Sequence, residues 1–179
     1  IFIDFKNPEV PVVKQVPVDF EAYGHSLCIV DTKGSHADLT PDYAAIPEEM
    51  KKIAKYFGKE VLREVGEQEF YKKLPEIRKA EGDRAVLRAI HLFEENKRVD
   101  KEVQALESGN FEAFKETVKE SGDSSFKYLQ NVYSNHDIHN QSVSIGLAIS
   151  EIALKGKGVS RVHGGGFAGT IQAFVPDEI

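Results

Sequence analysis

The sequence holds a single cysteine, Cys28, so neither an intramolecular disulfide nor a cysteine-built zinc site can form. That scarcity of thiols fits a reducing compartment, and a cytoplasmic location is expected. No apolar run approaches the roughly 18 to 20 residues needed to span a bilayer, because Lys, Glu, Asp or Gly interrupts each one, so no membrane association is expected. No block of Arg and Lys occurs, and 29 acidic residues outweigh 23 basic ones. A nucleic-acid groove needs clustered positive charge, so small molecules or other proteins are the expected partners. Methionine is as scarce as cysteine. The one present, Met50, falls inside a helical pattern, and Ile1-Phe2-Ile3-Asp4-Phe5 opens the chain with neither an initiator nor the basic and apolar regions of a secretory signal. The chain is therefore expected to be part of a longer protein whose start lies upstream. What the sequence does contain, 41% hydrophobic and 29% charged residues with a net charge of -6, is the composition of a folded globular protein.

Strand character dominates residues 1–33, with short β segments expected at 1–5, 11–18 and 25–31, separated by turns at Asn7-Pro8 and around Gly24. The polar stretch 34–40, GSHADLT, reads as a loop, and Thr40-Pro41 as a helix start in which threonine caps and proline takes the first helical position. From there to about residue 155 the pattern is helical, with breaks expected near Gly58, Gly66, Gly82, Gly109, Gly122 and 135–137. The clearest helix spans 83–107, where Val86, Ile90 and Phe93, then Val99, Val103 and Leu106, recur at helical steps. Glu94, Glu95, Lys97 and Arg98 read as its solvated face. A last helix at about 138–155 is expected to bury Val143 and Leu147 together with Ile145, Ile149 and Ile152. Residues 158–176 read as strand, glycine loop, strand. β-Structure at both ends with helices between predicts an α+β fold, helices packed on one face of a small, mostly antiparallel sheet.

Three consecutive glycines, Gly164, Gly165 and Gly166, with Gly169 close behind, imply backbone angles or close approaches that other residues resist. Such a turn is either an anion-binding nest or a tight hairpin. Neither G-x-G-x-x-G nor G-x-x-x-x-G-K-[ST] is present, so the spacing alone does not assign a nucleotide. His136, Asp137 and His139 lack the i, i+4 histidine spacing of a helical zinc site and read instead as a polar helix start. Cys28 reads as a small buried hydrophobe in a strand. Tyr43 either lines a pocket or packs on the first turn of its helix.

Taken together, several segments resemble galactokinases, of the GHMP group of small-molecule kinases. Arg161-Val162-His163-Gly164-Gly165-Gly166-Phe167-Ala168-Gly169 is similar to that family's third motif, R-x-T-G-A-G-F-G-G. Residues 88–99 are similar to its R-A-x-H-x-x-x-E-x-x-R-V stretch, and the order along the chain is the family's. The resemblance spans essentially all 179 residues as a GHMP-like C-terminal half. It implies an enzyme that transfers the γ-phosphoryl of Mg-ATP to the C1 hydroxyl of galactose. The sugar motif G-E-H-x-D-Y, the phosphate loop and the catalytic aspartate belong to the N-terminal half, and none is present here. ATP and Mg²⁺ are then bound mainly by that half, this chain supplies no catalytic or metal-binding residue, and its partners are galactose, ATP and the N-terminal half.

Carried over by position, Tyr43 matches a sugar-contacting tyrosine. Gly164, Gly165, Gly166, Phe167, Ala168 and Gly169 match the turn packed beside the phosphate loop. Arg161 matches the motif's leading arginine, either structural or adding positive potential near phosphate. Three positions in the motif depart from the family: His163 replaces threonine, Gly165 alanine and Ala168 glycine. Ser121-Gly122 also stands where serine-histidine is frequent. These departures keep two alternatives beside a galactokinase: a related sugar kinase of the N-acetylgalactosamine kinase kind, and a non-catalytic sugar- or nucleotide-binding regulator. As half of a two-lobed fold, the chain should expose an apolar surface where the other half packs.

Overall fold

The computed structural model describes residues 1–35 and 37–178; His36, inside the loop expected at 34–40, lies outside them. Strands β1 (Phe2–Asp4) and β2 (Val12–Lys14) form an antiparallel ribbon, and a 3-10 turn, Glu21–Tyr23, leads into β3 (His25–Asp31). Helices α1 (Thr40–Tyr56), α2 (Glu67–Lys72), α3 (Leu74–Glu81), α4 (Asp83–Glu107) and α5 (Phe111–Ser124) follow. A π-helical turn, Ser125–Leu129, extends α5, then α6 (Ser142–Leu154), β4 (Val159–Val162) and β5 (Thr170–Pro176) close the chain. The class is α+β, as expected. The main sheet is antiparallel in the order β3-β5-β4, so the first long strand pairs with the last.

Helices cover both faces of this sheet rather than the one expected. Alternate residues of a strand point to opposite sides. Val159 and Phe174 accordingly meet Phe111, Phe114 and Val118 of α5, while Val162 and Ile171 meet Val143 of α6. A second core forms where Ala85, Val86, Ala89 and Phe93 of α4 pack on Ile53 and Ala54 of α1, Phe70 of α2 and Ile77 of α3. Each fully buried large side chain there contributes about 2 to 3 kcal/mol relative to exposure.

Several boundaries differ from the sequence reading for local reasons. Helix α1 is capped by Leu39, with Thr40 already helical and making no side-chain cap, because proline is tolerated within the first turn as well as at its first position. The expected strand at 11–18 shortens to Val12–Lys14. No break occurs at Gly122, which lies inside α5 because α5 crosses β4 there: a Cβ on Gly122 would sit 2.9 Å from Cβ of Arg161. Asn110 does cap α5, its side chain accepting from the amide of Ala113 at 3.1 Å. Helix α6 starts at Ser142, after a turn in which the Asp137 carboxylate accepts from the amides of His139 and Asn140. It buries Val143 and half-buries Leu147, whereas Ile145, Ile149 and Ile152 face outward, contrary to expectation.

Candidate functional site at the glycine loop

The loop between β4 and β5 takes left-handed backbone angles at Gly164, Gly166, Phe167 and Gly169. Its neighbours account for the glycines individually. A Cβ on Gly165 would lie 2.9 Å from Cε1 of Tyr43, and a Cβ on Gly166 would overlap the carbonyl oxygen of Asn131. The loop is thus shaped by two contacts from elsewhere in the chain. Tyr43, in the first turn of α1, donates its hydroxyl to the Gly166 carbonyl at 2.7 Å, and its ring meets Phe167 edge-on at 5.2 Å. Asn131 accepts from the amide of Phe167 at 2.5 Å and donates from Nδ2 to the Gly165 carbonyl at 3.2 Å.

At the far end of the loop, Thr32 donates both its amide and its hydroxyl to the Gly169 carbonyl, at 2.8 and 2.7 Å. Gly166, Phe167 and Ala168 are buried, with Leu39 and Ile46 packed around the last two, while Gly164 and Gly165 face solvent. Burial also raises the Tyr43 phenol above its usual range. Beside it, Asp42 is buried and accepts from the Ser134 hydroxyl at 2.8 Å.

A polar stripe along α4 positions these parts. Arg88, Glu95 and Arg98 point inward at steps of seven and three residues, with His91 between them; at Glu95 and Arg98 the expected solvated face is overturned. Arg88, 2% exposed, pairs with Glu49 of α1 at 2.7 Å and donates to the Leu129 carbonyl at 3.0 Å. That bond fixes the chain two residues before Asn131. His91 meets the Ser124 hydroxyl at 2.9 Å, and desolvation lowers its pKa to about 4. Burial alone would raise the Glu95 carboxyl, but hydrogen bonds from Ser121 and Arg98, with the charge of Arg161, bring it below its usual range. Desolvation, reinforced by Glu95, pushes Glu102 up to about 7.

Arg161 belongs to this network. Its guanidinium reaches Glu95 at 3.4 Å, Ser121, Ser125 at 3.4 Å and the Val162 carbonyl at 3.1 Å. Of the residues singled out in the sequence, the structure therefore brings together Tyr43 and Gly164 to Gly169, and directs Arg161 into the helices. The sequence reading missed Asn131, Thr32 and the Asp42–Ser134 pair. An asparagine or threonine in a connecting segment carries no periodic or motif signal, so only the fold exposes its role. Among the described residues no three His, Cys, Asp or Glu side chains gather to hold a metal ion, and none of the helices is long and apolar enough to cross a membrane. The donor set at the glycine loop, a phenol, an amide and backbone carbonyls already engaged with one another, does not fit a Mg²⁺ site, which calls for free carboxylate oxygens.

This α+β arrangement is a fold shared with part of a solved galactokinase. It superposes on the Lactococcus lactis galactokinase solved in complex with galactose with a TM-score of 0.67, at 23% identity over 94% of this chain and 41% of that one. In sequence the chain corresponds to the C-terminal portion of galactokinases. It is 30% identical to the galactokinase of Actinobacillus pleuropneumoniae serotype 3 (strain JL03) along 99% of its own length and 43% of that protein's. It is 35% identical to the galactokinase of Thermotoga neapolitana over 112 residues, 63% of this chain and 28% of that one. The chain thus spans less than half the length of these relatives. No protein-family model matches it.

Proposed function

We propose that these 179 residues are the C-terminal half of a galactokinase, a cytoplasmic two-lobed enzyme that transfers the γ-phosphoryl of Mg-ATP to the C1 hydroxyl of galactose. The observation that carries the reading is the match to a galactokinase along 99% of the chain. In this reading the chain forms one wall of the sugar and nucleotide cleft, and the N-terminal half supplies the catalytic aspartate, the phosphate loop and most contacts to ATP and Mg²⁺. Phosphoryl transfer depends on alignment and charge stabilisation, so this half alone is close to inert.

Tyr43 contacts the sugar while its hydroxyl holds the glycine loop, which makes one side chain the hinge point between the sugar side and the nucleotide side of the cleft. Gly164 and Gly165 offer exposed backbone beside the phosphate loop, and Phe167 and Ala168 anchor it. The network around Arg161 supports a structural role for that arginine, orienting β4 and hence the start of the loop. Incubating the native gene product with Mg-ATP and galactose should yield a sugar 1-phosphate resonance by ³¹P NMR. A folded product that yields none refutes the reading.

A further inference from the structure

The contacts that shape the glycine loop belong to a closed ring. Tyr43 donates its hydroxyl to the Gly166 carbonyl, and Asn131 holds the same loop through the Phe167 amide and the Gly165 carbonyl. A little further along the segment that carries Asn131, the Ser134 hydroxyl donates at 2.8 Å to Oδ2 of Asp42, the residue before Tyr43. The path from Tyr43 through the loop, Asn131, Ser134 and Asp42 thus returns to its start.

The bond that closes the ring is buried, with Ser134 3% and Asp42 8% exposed. It is the one hydrogen bond made by the Asp42 carboxylate among the described residues. A buried carboxylate is costly unless it is partnered, so this bond carries weight. The first turn of α1 and the charges of Arg84 and Arg88, both paired with Glu49, favour the anion there. Ser134 is itself held, because its hydroxyl oxygen accepts from the His136 amide at 3.1 Å, which leaves its proton for Asp42. Between Asn131 and Ser134, Val132 is buried in the cluster of Val143, Val162 and Ile171. The segment is therefore a fixed post, and Asp42 moors the first turn of α1 to it.

From this we infer that Asp42 and Ser134 are positioning residues for sugar binding: their bond sets the first turn of α1 and, through it, the place of the Tyr43 ring. The inference rests on the galactokinase reading for the contact between Tyr43 and the sugar. Neither residue is required to touch the ligand. A ring wedged over Gly165 has little room to move, and a displacement on the order of 1 Å is enough to spoil a binding geometry.

Calorimetric titration of the native gene product with galactose tests this. Ser134→Ala removes the donor and should raise the Kd for galactose about tenfold, the worth of one charge-assisted hydrogen bond. Asp42→Asn keeps the shape and an acceptor but makes the bond neutral, and should raise Kd about threefold; it carries the test if Ser134→Ala does not fold. Asn110→Ala, which removes the cap of α5 away from the ring, should lower the thermal midpoint and leave Kd unchanged. That control separates positioning from lost stability. An unchanged Kd in the folded Ser134 or Asp42 variant overturns the inference, as does an equal rise in Asn110→Ala. Galactose-dependent ADP formation on the same samples separates the two readings. A shifted Kd with no ADP formed keeps the positioning pair and refutes the kinase, and ADP formation with an unshifted Kd does the reverse. An unaltered product that neither binds galactose nor forms ADP overturns both.

Discussion

Tyr43 and Gly165 compete for the same space: the phenol ring lies where a Cβ on Gly165 would stand, 2.9 Å from Cε1, while the hydroxyl donates to the next residue's carbonyl at 2.7 Å. The glycine at 165 thus makes room for the tyrosine at 43. Replacing Gly165 with Ala should push the ring off the loop and lower stability by about 1 to 3 kcal/mol. Tyr43→Phe keeps the ring and loses the hydrogen bond to the Gly166 carbonyl, which costs about 1 kcal/mol. A double-mutant cycle by urea unfolding should show the two coupled; strict additivity would mean that they do not interact.

Gly164 and Gly166 both have left-handed angles, yet they should respond differently to alanine. A Cβ on Gly164 meets nothing within 4 Å, so Gly164→Ala costs only the backbone strain, about 1 to 2 kcal/mol. A Cβ on Gly166 overlaps the Asn131 carbonyl as well, which brings the cost to at least about 3 kcal/mol. Thermal unfolding should rank Gly166→Ala well below Gly164→Ala, and equal midpoints would contradict the clamp by Asn131.

Gly122 gives a third test, because alanine is the better helix former by about 1 kcal/mol. Its Cβ would nevertheless come within 2.9 Å of Cβ of Arg161, an atom fixed to a strand backbone that cannot swing away. Gly122→Ala should therefore destabilise despite its helix propensity. A gain in stability would show that α5 and β4 can separate freely.

The buried network should make two opposing contributions to pH dependence. His91 has its pKa lowered from 6.5 to about 4 in the folded state, mainly by desolvation. Its neutral form thus stabilises the fold above pH 6.5, and that contribution is lost as pH falls toward 4. Glu102, raised from 4.5 to about 7, again mainly by desolvation, stabilises below pH 4.5 and loses that contribution as pH rises toward 7. Between pH 4.5 and 6.5 the two slopes oppose. Glu102→Gln should steepen the rise of stability with pH in this window, and His91→Gln should make stability fall as pH rises. Denaturant titrations at several pH values check both signs.

How much of the fold is legible in the sequence depends on whether the signal is periodic. Helix α4 matches the expected 83–107 because its apolar residues repeat over about seven turns, long enough for the pattern to outweigh any single residue. The hairpin around the glycine loop is legible for the opposite reason, since consecutive glycines are costly without a backbone purpose. Gly122 misleads because the same residue marks a helix end or a close crossing, and only the position of Arg161 distinguishes them. Glu95 and Arg98 mislead because a charged helix face is solvated unless another polar group completes it, here Ser121 and Arg161 from distant segments. The isoleucines of α6 read as buried and lie outward, since periodicity marks them as apolar without stating which neighbour covers them. Asn131, Thr32 and Ser134 leave no trace in the sequence, because their partners lie 34, 137 and 92 residues away.

The most direct test of the central claim is a paired assay of galactose-dependent ADP release, run on the native gene product and on the 179-residue chain under identical conditions. If this chain is the C-terminal half of a galactokinase, the native product turns over ATP when galactose is added and the isolated chain does not. A folded native product that releases no ADP with galactose, or an isolated chain that does, contradicts it.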